Sequence, residues 1–201
     1  MKRTLLALVA LLLAGPLLAA CGSDGDDAST GSSSKADFND ADVTFAQDMI
    51  PHHEEAVEMA ELAETRAQSP EVKDLAKRIK DAQGPEIETM KGWLEEWAGS
   101  EADDGGMGGM DHGSDDGTSD DETSEGGMMS EEDMSALEEA EGAEFDEMFL
   151  TMMVEHHEGA VEMANTEISE GENEDAIALA RDIVEAQEAE IKEMNGLLEN
   201  T

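Results

Sequence analysis

Phe45-Ala46-Gln47-Asp48-Met49-Ile50-Pro51-His52-His53-Glu54-Glu55-Ala56-Val57-Glu58-Met59-Ala60 is written a second time, 104 residues later, as Phe149-Leu150-Thr151-Met152-Met153-Val154-Glu155-His156-His157-Glu158-Gly159-Ala160-Val161-Glu162-Met163-Ala164. Ten of the sixteen pairs are identical. The same offset aligns Leu75–Leu94 with Leu179–Leu198, with Ile79/Ile183, Gln83/Gln187, Glu86/Glu190, Ile87/Ile191 and Met90/Met194 matching. A self-similar unit at a fixed offset is a supersecondary element that cannot bury its apolar face alone.

Each segment reads as a helix. Phe45, Met49, His52, Ala56, Met59 and Ala63 step by fours and threes along one seam. Asn39 or Asp40 is placed to cap the first helix. Ser69-Pro70-Glu71 opens the second with a capping hydroxyl, a proline at the first helical position and an acid. Leu75, Ile79, Ala82, Ile87, Met90 and Leu94 form its apolar face. In the second unit Gly171 ends one helix and Asn173 caps the next. Pro51 and Pro85 fall inside helices of the first unit and are expected to kink them. Four amphipathic helices of about 25 residues predict an all-α fold, a four-helix bundle of two repeated hairpins with pseudo-twofold symmetry. The hairpins are expected at 40–98 and 141–201. Residues 99–140, acidic and rich in Gly, Ser and Met, are expected to be a disordered linker.

The N-terminus reads as an address. Lys2 and Arg3 precede an apolar run from Leu5 to Leu18, too short to span a bilayer, so residues 1–20 read as a signal peptide. Leu18-Ala19-Ala20-Cys21 resembles the bacterial lipobox. That resemblance implies cleavage before Cys21, lipid on its sulfur, and an extracytoplasmic chain anchored to the cell envelope. Residues 21–39 then serve as a flexible tether.

Composition removes whole classes of function. Fifty-two Asp and Glu against 11 Lys and Arg give a formal net charge of −41. Such a surface excludes nucleic acid and disfavours anionic lipid headgroups. The single cysteine excludes an internal disulfide and a Cys-rich zinc site. Metal chemistry must therefore come from the 14 methionines, five histidines and the carboxylates.

On a helical wheel Met49 lies one turn from both His52 and His53, bringing a thioether and two imidazoles together. Met59 follows further along the seam. Met153, His156, His157 and Met163 repeat the set, and the partner helices add Met90 and Met194 as weaker candidates. Met107, Met110 and His112 in the linker form a looser grouping of the same donors. Imidazole suits Cu, Zn, Fe and Ni, whereas thioether selects Cu(I), so Cu(I) is the expected ion, with Ag(I) of the same softness. The competing readings are a structural lipoprotein whose Met and His only pack, with Glu86 or Gln83 satisfying an inward His, and a ferritin-like iron-dependent oxidase. The oxidase would need Glu three residues before a histidine, where Met49, Ile50, Met153 and Val154 stand. No catalytic motif is present. A homo-oligomer and a metal-transfer partner are both compatible with such a bundle.

Asp42-x2-Phe45-x3-Met49-Ile50-x-His52-His53-x2-Ala56-x2-Met59-Ala60, echoed by Asp146, Phe149, Met153, His156, His157, Ala160, Met163 and Ala164, resembles the signature of the CopM-like family, long catalogued as a domain of unknown function. The resemblance covers both hairpins. It implies a ferritin-like four-helix fold, an extracytoplasmic location and copper binding linked to copper resistance. The implied ligands are Met49, His52, His53, Met59 and their second-unit counterparts. Pro51 has no counterpart in the second unit, where Glu155 stands.

Overall fold

The computed structural model describes residues 38–103 and 125–199. The expected signal peptide, Cys21, nearly all of the tether, and Met107, Met110 and His112 lie outside the described residues. Helix α1 spans Asp40–Arg66, α2 Pro70–Asp103, α3 Glu131–Glu139, α4 Ala143–Glu170 and α5 Glu174–Leu198. No strand occurs among the described residues. The four long helices are the two expected hairpins, α1–α2 and α4–α5, which meet through α1 and α4.

Local chemistry sets the helix ends. Asn39 caps α1 through Ala41 N and Asp42 N, while the Asp42 carboxylate accepts from Asn39 N at 2.6 Å. Ser69 Oγ accepts from Glu71 N and Val72 N ahead of Pro70. Asn173 caps α5 through Asp175 N and Ala176 N. The α1 and α2 helices continue unbroken through Pro51 and Pro85, both exposed. Ala82, expected on the buried face of α2, is exposed, and Gln83 beside it is buried instead.

The disordered linker expected over 99–140 is corrected at both ends. Helix α2 runs on to Asp103, and α3 occupies Glu131–Glu139. Ser130 caps α3, three acids fill its first turn, and Leu137 and Ala140 bury themselves against the bundle. The acidic composition masked a short helix whose larger apolar residues, Met134 and Leu137, turn toward the bundle.

Two aspartates lock the hairpins together. Asp42, at the start of α1, accepts from Glu172 N and Asn173 N in the α4–α5 loop. Asp146, at the start of α4, accepts from Gln68 N (3.0 Å) and Ser69 N (2.8 Å) in the α1–α2 loop. Each hairpin thus caps the turn of the other, which holds α1 and α4 antiparallel. Burial works to raise the Asp42 pKa, but these hydrogen bonds prevail and hold it below the ordinary value. At the Asp42 end alone a second carboxyl is buried, that of Glu167, whose repeat counterpart is Ala63. Burial and the adjacent Asp42 push Glu167 up to about 8. With neither of its oxygens partnered by a protein donor, Glu167 keeps its proton.

Replacing Asp146 by Ala strands two loop N–H groups beneath α4. The expected loss is about 3 kcal/mol, read as a lower urea midpoint with an unchanged slope.

Candidate metal centre

The antiparallel docking divides the interior into two apolar clusters. One joins the C-terminal half of α1 to the N-terminal halves of α2 and α4, with Leu137 of α3 and Met194. The other joins the N-terminal half of α1 to the C-terminal halves of α2 and α4 and the start of α5. At the middle of α1 and α4 stand His52, His53, His156 and His157, each at most 1% exposed. Gln83 and Gln187 are buried beside them.

The four rings are not equivalent. His52 and His156 face each other across the α1–α4 seam, with ring centroids 3.7 Å apart. His53 turns to its own hairpin partner, its Nε2 2.8 Å from Glu86 Oε2. His157 repeats this with Glu190 Oε2, also at 2.8 Å. An ionised carboxylate only accepts, so in the neutral rings Nε2 carries the proton and Nδ1 the lone pair. His52 Nε2 lies 3.0 Å from the Gly126 carbonyl, an acceptor that fixes the same tautomer. His156 Nε2 lies 3.2 Å from Glu55 Oε2, close enough for an ion pair but outside hydrogen-bond geometry. In all four rings Nδ1 is buried without a protein hydrogen-bond partner, as are both amide atoms of Gln83 and the Gln187 carbonyl. Burial, reinforced by the neighbouring His156, pushes His52 down to about 2. Burial also lowers His156, against the opposing pull of Glu55. Both rings are therefore neutral, the form that coordinates metal.

Glu86 and Glu190 are the satisfying partners that an ordinary core histidine would have, but they occupy only one nitrogen of each ring. Among the described residues no three His, Cys, Asp or Glu side chains form a group able to hold a metal ion. A site here must draw on sulfur. Met49, Met59, Met90, Met153 and Met194 are fully buried and Met163 half-buried. They are not sorted by repeat. Met49, Met90 and Met163 share one cluster, and Met153, Met194 and Met59 share the other. Each side of the imidazole layer thus has three of these six candidate methionines, two from one hairpin and one from the other. The sequence placed Met59 further along the same seam as Met49, and the antiparallel docking joins it to Met153 and Met194 of the other repeat.

One partner escaped the sequence reading. The turn Glu125–Gly127 brings the inter-hairpin segment back onto α4, with φ of 76° at Gly126 and 82° at Gly127. A Cβ on Gly159 would stand 1.9 Å from the Gly126 oxygen, so only glycine admits the turn there. Gly159 is the repeat counterpart of Glu55. Where His156 meets Glu55, His52 meets the Gly126 carbonyl. The available signal was this one Glu/Gly mismatch in the stretch from His52 to Ala60, which otherwise matches its copy throughout.

The family profile described as "Domain of unknown function (DUF305)" matches residues 42–198. A DUF305 protein from Streptomyces coelicolor, described as a candidate secreted protein, is 32% identical with a TM-score of 0.65, covering 80% of this chain and 93% of that one. CopM in its Cu(I)-bound form is 31% identical at a TM-score of 0.61, covering 79% and 96%. A DUF305 fragment from Deinococcus radiodurans is 28% identical at 0.65, covering 81% and 98%. CopM is also similar in its Cu(II)-bound and Ag-bound forms. No curated protein matches the chain.

Two buried groups give the metal-free chain opposed pH limbs. His52 takes a proton readily only when unfolded, so its contribution is present above pH 6.5 and fades as pH falls toward 2. Glu167 holds its proton in the fold, so its contribution is present below pH 4.5 and fades as pH rises through 8. Chemical denaturation across pH should show both limbs, and Glu167→Gln should flatten only the alkaline one.

Proposed function

This chain belongs to the DUF305 family, and we propose that it binds a soft monovalent cation, Cu(I) with Ag(I) as its equivalent, at the imidazole layer and the methionines beside it. One observation carries the reading: all four buried imidazoles have an Nδ1 without a protein partner, and in three of them, His52, His53 and His157, the opposite nitrogen is held so that Nδ1 keeps its lone pair. A core selected only for packing has no use for that arrangement, since each unpaired buried acceptor is destabilising. A bound cation would satisfy it. The donor set fits, because neutral imidazole and thioether together favour Cu(I) over harder ions. The CopM structures with Cu(I), Cu(II) and Ag support the same choice.

The proposed ligands are Met49, His52, His53 and Met59 with Met153, His156, His157 and Met163, joined by Met90 and Met194. Glu86 and Glu190 position His53 and His157. They hold the tautomer that leaves Nδ1 available by accepting a hydrogen bond from Nε2–H and fix the orientation of each ring. Burial keeps His52 and His156 neutral, so a proton does not compete for the lone pair at ordinary pH. The apolar clusters on either side exclude water, the competing ligand for a harder ion.

Sequestration of copper outside the cytoplasm is the role proposed for this binding. The signal peptide and the lipobox-like Leu18-Ala19-Ala20-Cys21 support an envelope anchor at Cys21. Among the described residues no helix is long and apolar enough to cross a membrane. The description of the Streptomyces coelicolor relative points the same way.

Anaerobic titration with Cu(I) against a chromogenic chelator should reveal tight binding. His52→Ala/His53→Ala should weaken it by about a hundredfold while circular dichroism still reports a folded bundle. Unchanged affinity in that variant would leave the histidines as packing residues. For the anchor, Cys21→Ser should abolish incorporation of labelled fatty acid and release the protein from the membrane fraction.

A further inference from the structure

Past the Gly126-Gly127 turn the returning segment continues through Met128 and Met129 into α3, which carries Met134. These three methionines, with Glu131, face Pro51, Glu54, Glu55 and Glu58 of α1 across a surface cavity of about 350 Å³. The lining is three thioethers and four carboxylates, without a basic residue. Lys91 reaches Glu54 at 2.7 Å, leaving the other carboxylates to the cavity. All three methionines are only half-buried and line the open cavity.

One carboxylate connects this cavity to the interior. Glu55 Oε2 accepts from Met129 N at 3.0 Å and lies 3.2 Å from His156 Nε2. His156 is 1% exposed, and neither of its ring nitrogens has a hydrogen-bond partner. The twofold counterpart of this cavity would lie over Glu155, Glu158, Gly159 and Glu162. There the Gly126-Gly127 turn packs directly on α4, with a Cβ on Gly127 placed 2.8 Å from the Glu155 oxygen. The two sides of the bundle are alike in sequence, but one is covered and the other open.

We infer that this cleft is an outer site for the same soft cation and its way in to the histidines: Met128, Met129 and Met134 take the ion from water, and Glu55 passes it to His156. The inference rests on the copper-binding reading above and adds to it a second site and a direction of loading. Carboxylates at the mouth raise the local concentration of any cation, and the thioethers select the soft one. Transfer is a ligand exchange in which a sulfur–metal bond is replaced by a carboxylate and then a nitrogen bond, with no change in oxidation state. Met129 and Met134 also pack against the apolar core, a task leucine would do equally well. Leucine therefore separates the two roles.

The test uses Ag(I), which has no redox chemistry under these conditions, on the full chain and on Met128→Leu/Met129→Leu/Met134→Leu. The variant should bind about one equivalent less and load its buried sites about tenfold more slowly in stopped flow, at unchanged final affinity. Stoichiometry and rate equal to those of the unaltered chain would overturn the inference. Should the variant fail to fold, peroxide oxidation of the unaltered chain gives the same answer by peptide mass spectrometry. Ag(I) should protect Met128, Met129 and Met134 from conversion to sulfoxide, and equal oxidation with and without Ag(I) overturns the outer site. An unaltered chain that takes up no Ag(I) defeats the copper-binding reading and this one together. Loss of tight binding in His52→Ala/His156→Ala alongside a leucine variant that behaves as the unaltered chain defeats the outer site alone.

Discussion

Four imidazoles are held in the dry middle of the bundle with one nitrogen of each engaged or approached and the other bare, and the rest of the architecture is arranged around that fact. Each bare acceptor costs about 1–3 kcal/mol, so together they approach the whole stability of an ordinary domain. The fold tolerates them because three of the opposite nitrogens are tied down. Glu86 and Glu190 do so from the partner helices, and the Gly126 carbonyl does so from the returning linker. Leucine at any of these positions would pack without such support. The methionines on either side are consistent with the same demand, since they fill apolar space and still present a ligand.

How the hairpins dock decides which residues can cooperate. Asp42 and Asp146 each reach across to cap the other hairpin's loop, which fixes α1 and α4 antiparallel and in register. That register puts His52 against His156. It also sends Met59 of one repeat to the end occupied by Met153 and Met194 of the other. The donor sets are therefore composite, and neither hairpin alone carries one. A capping contact some 15 Å along the helix from the histidines thus determines the membership of the candidate centre.

Much of this was legible in the primary structure. The 104-residue offset established the hairpins, the seam of Phe45, Met49, His52, Ala56 and Met59 established the buried face, and Ser69-Pro70 and Asn173 marked helix starts. What could not be read depends on contacts between repeats. A helical wheel knows only its own helix, so it could not show that Met59 joins Met153 and Met194 of the other repeat. Asp42 and Asp146 belong to the repeated signature, but their role as loop caps exists only once the hairpins meet. Helix α3 was hidden by its composition: three apolar positions, Met134, Leu137 and Ala140, suffice when a ready-made surface awaits them, though they would not hold a helix in isolation.

The informative positions in a duplicated chain are those where the copies have parted. Identity between repeats is expected of packing residues and ligands alike, so the matched histidines cannot by themselves discriminate between the two. Divergence can, because a symmetric scaffold offers both copies the same environment until something else intervenes. At 55 and 159 that intervention is visible. Glutamate persists where the bundle surface is open and glycine stands where the linker returns, because any side chain there would collide with Gly126. At 63 and 167 alanine fills one end, while a glutamate that must keep its proton fills the other. Both mismatches differentiate the two sides of an internally symmetric bundle. The first acts directly at the histidines, giving His52 a backbone carbonyl and His156 a carboxylate that faces outward. A layer of chemically equal rings is thereby made unequal in access, and a directional path through a twofold scaffold requires that inequality.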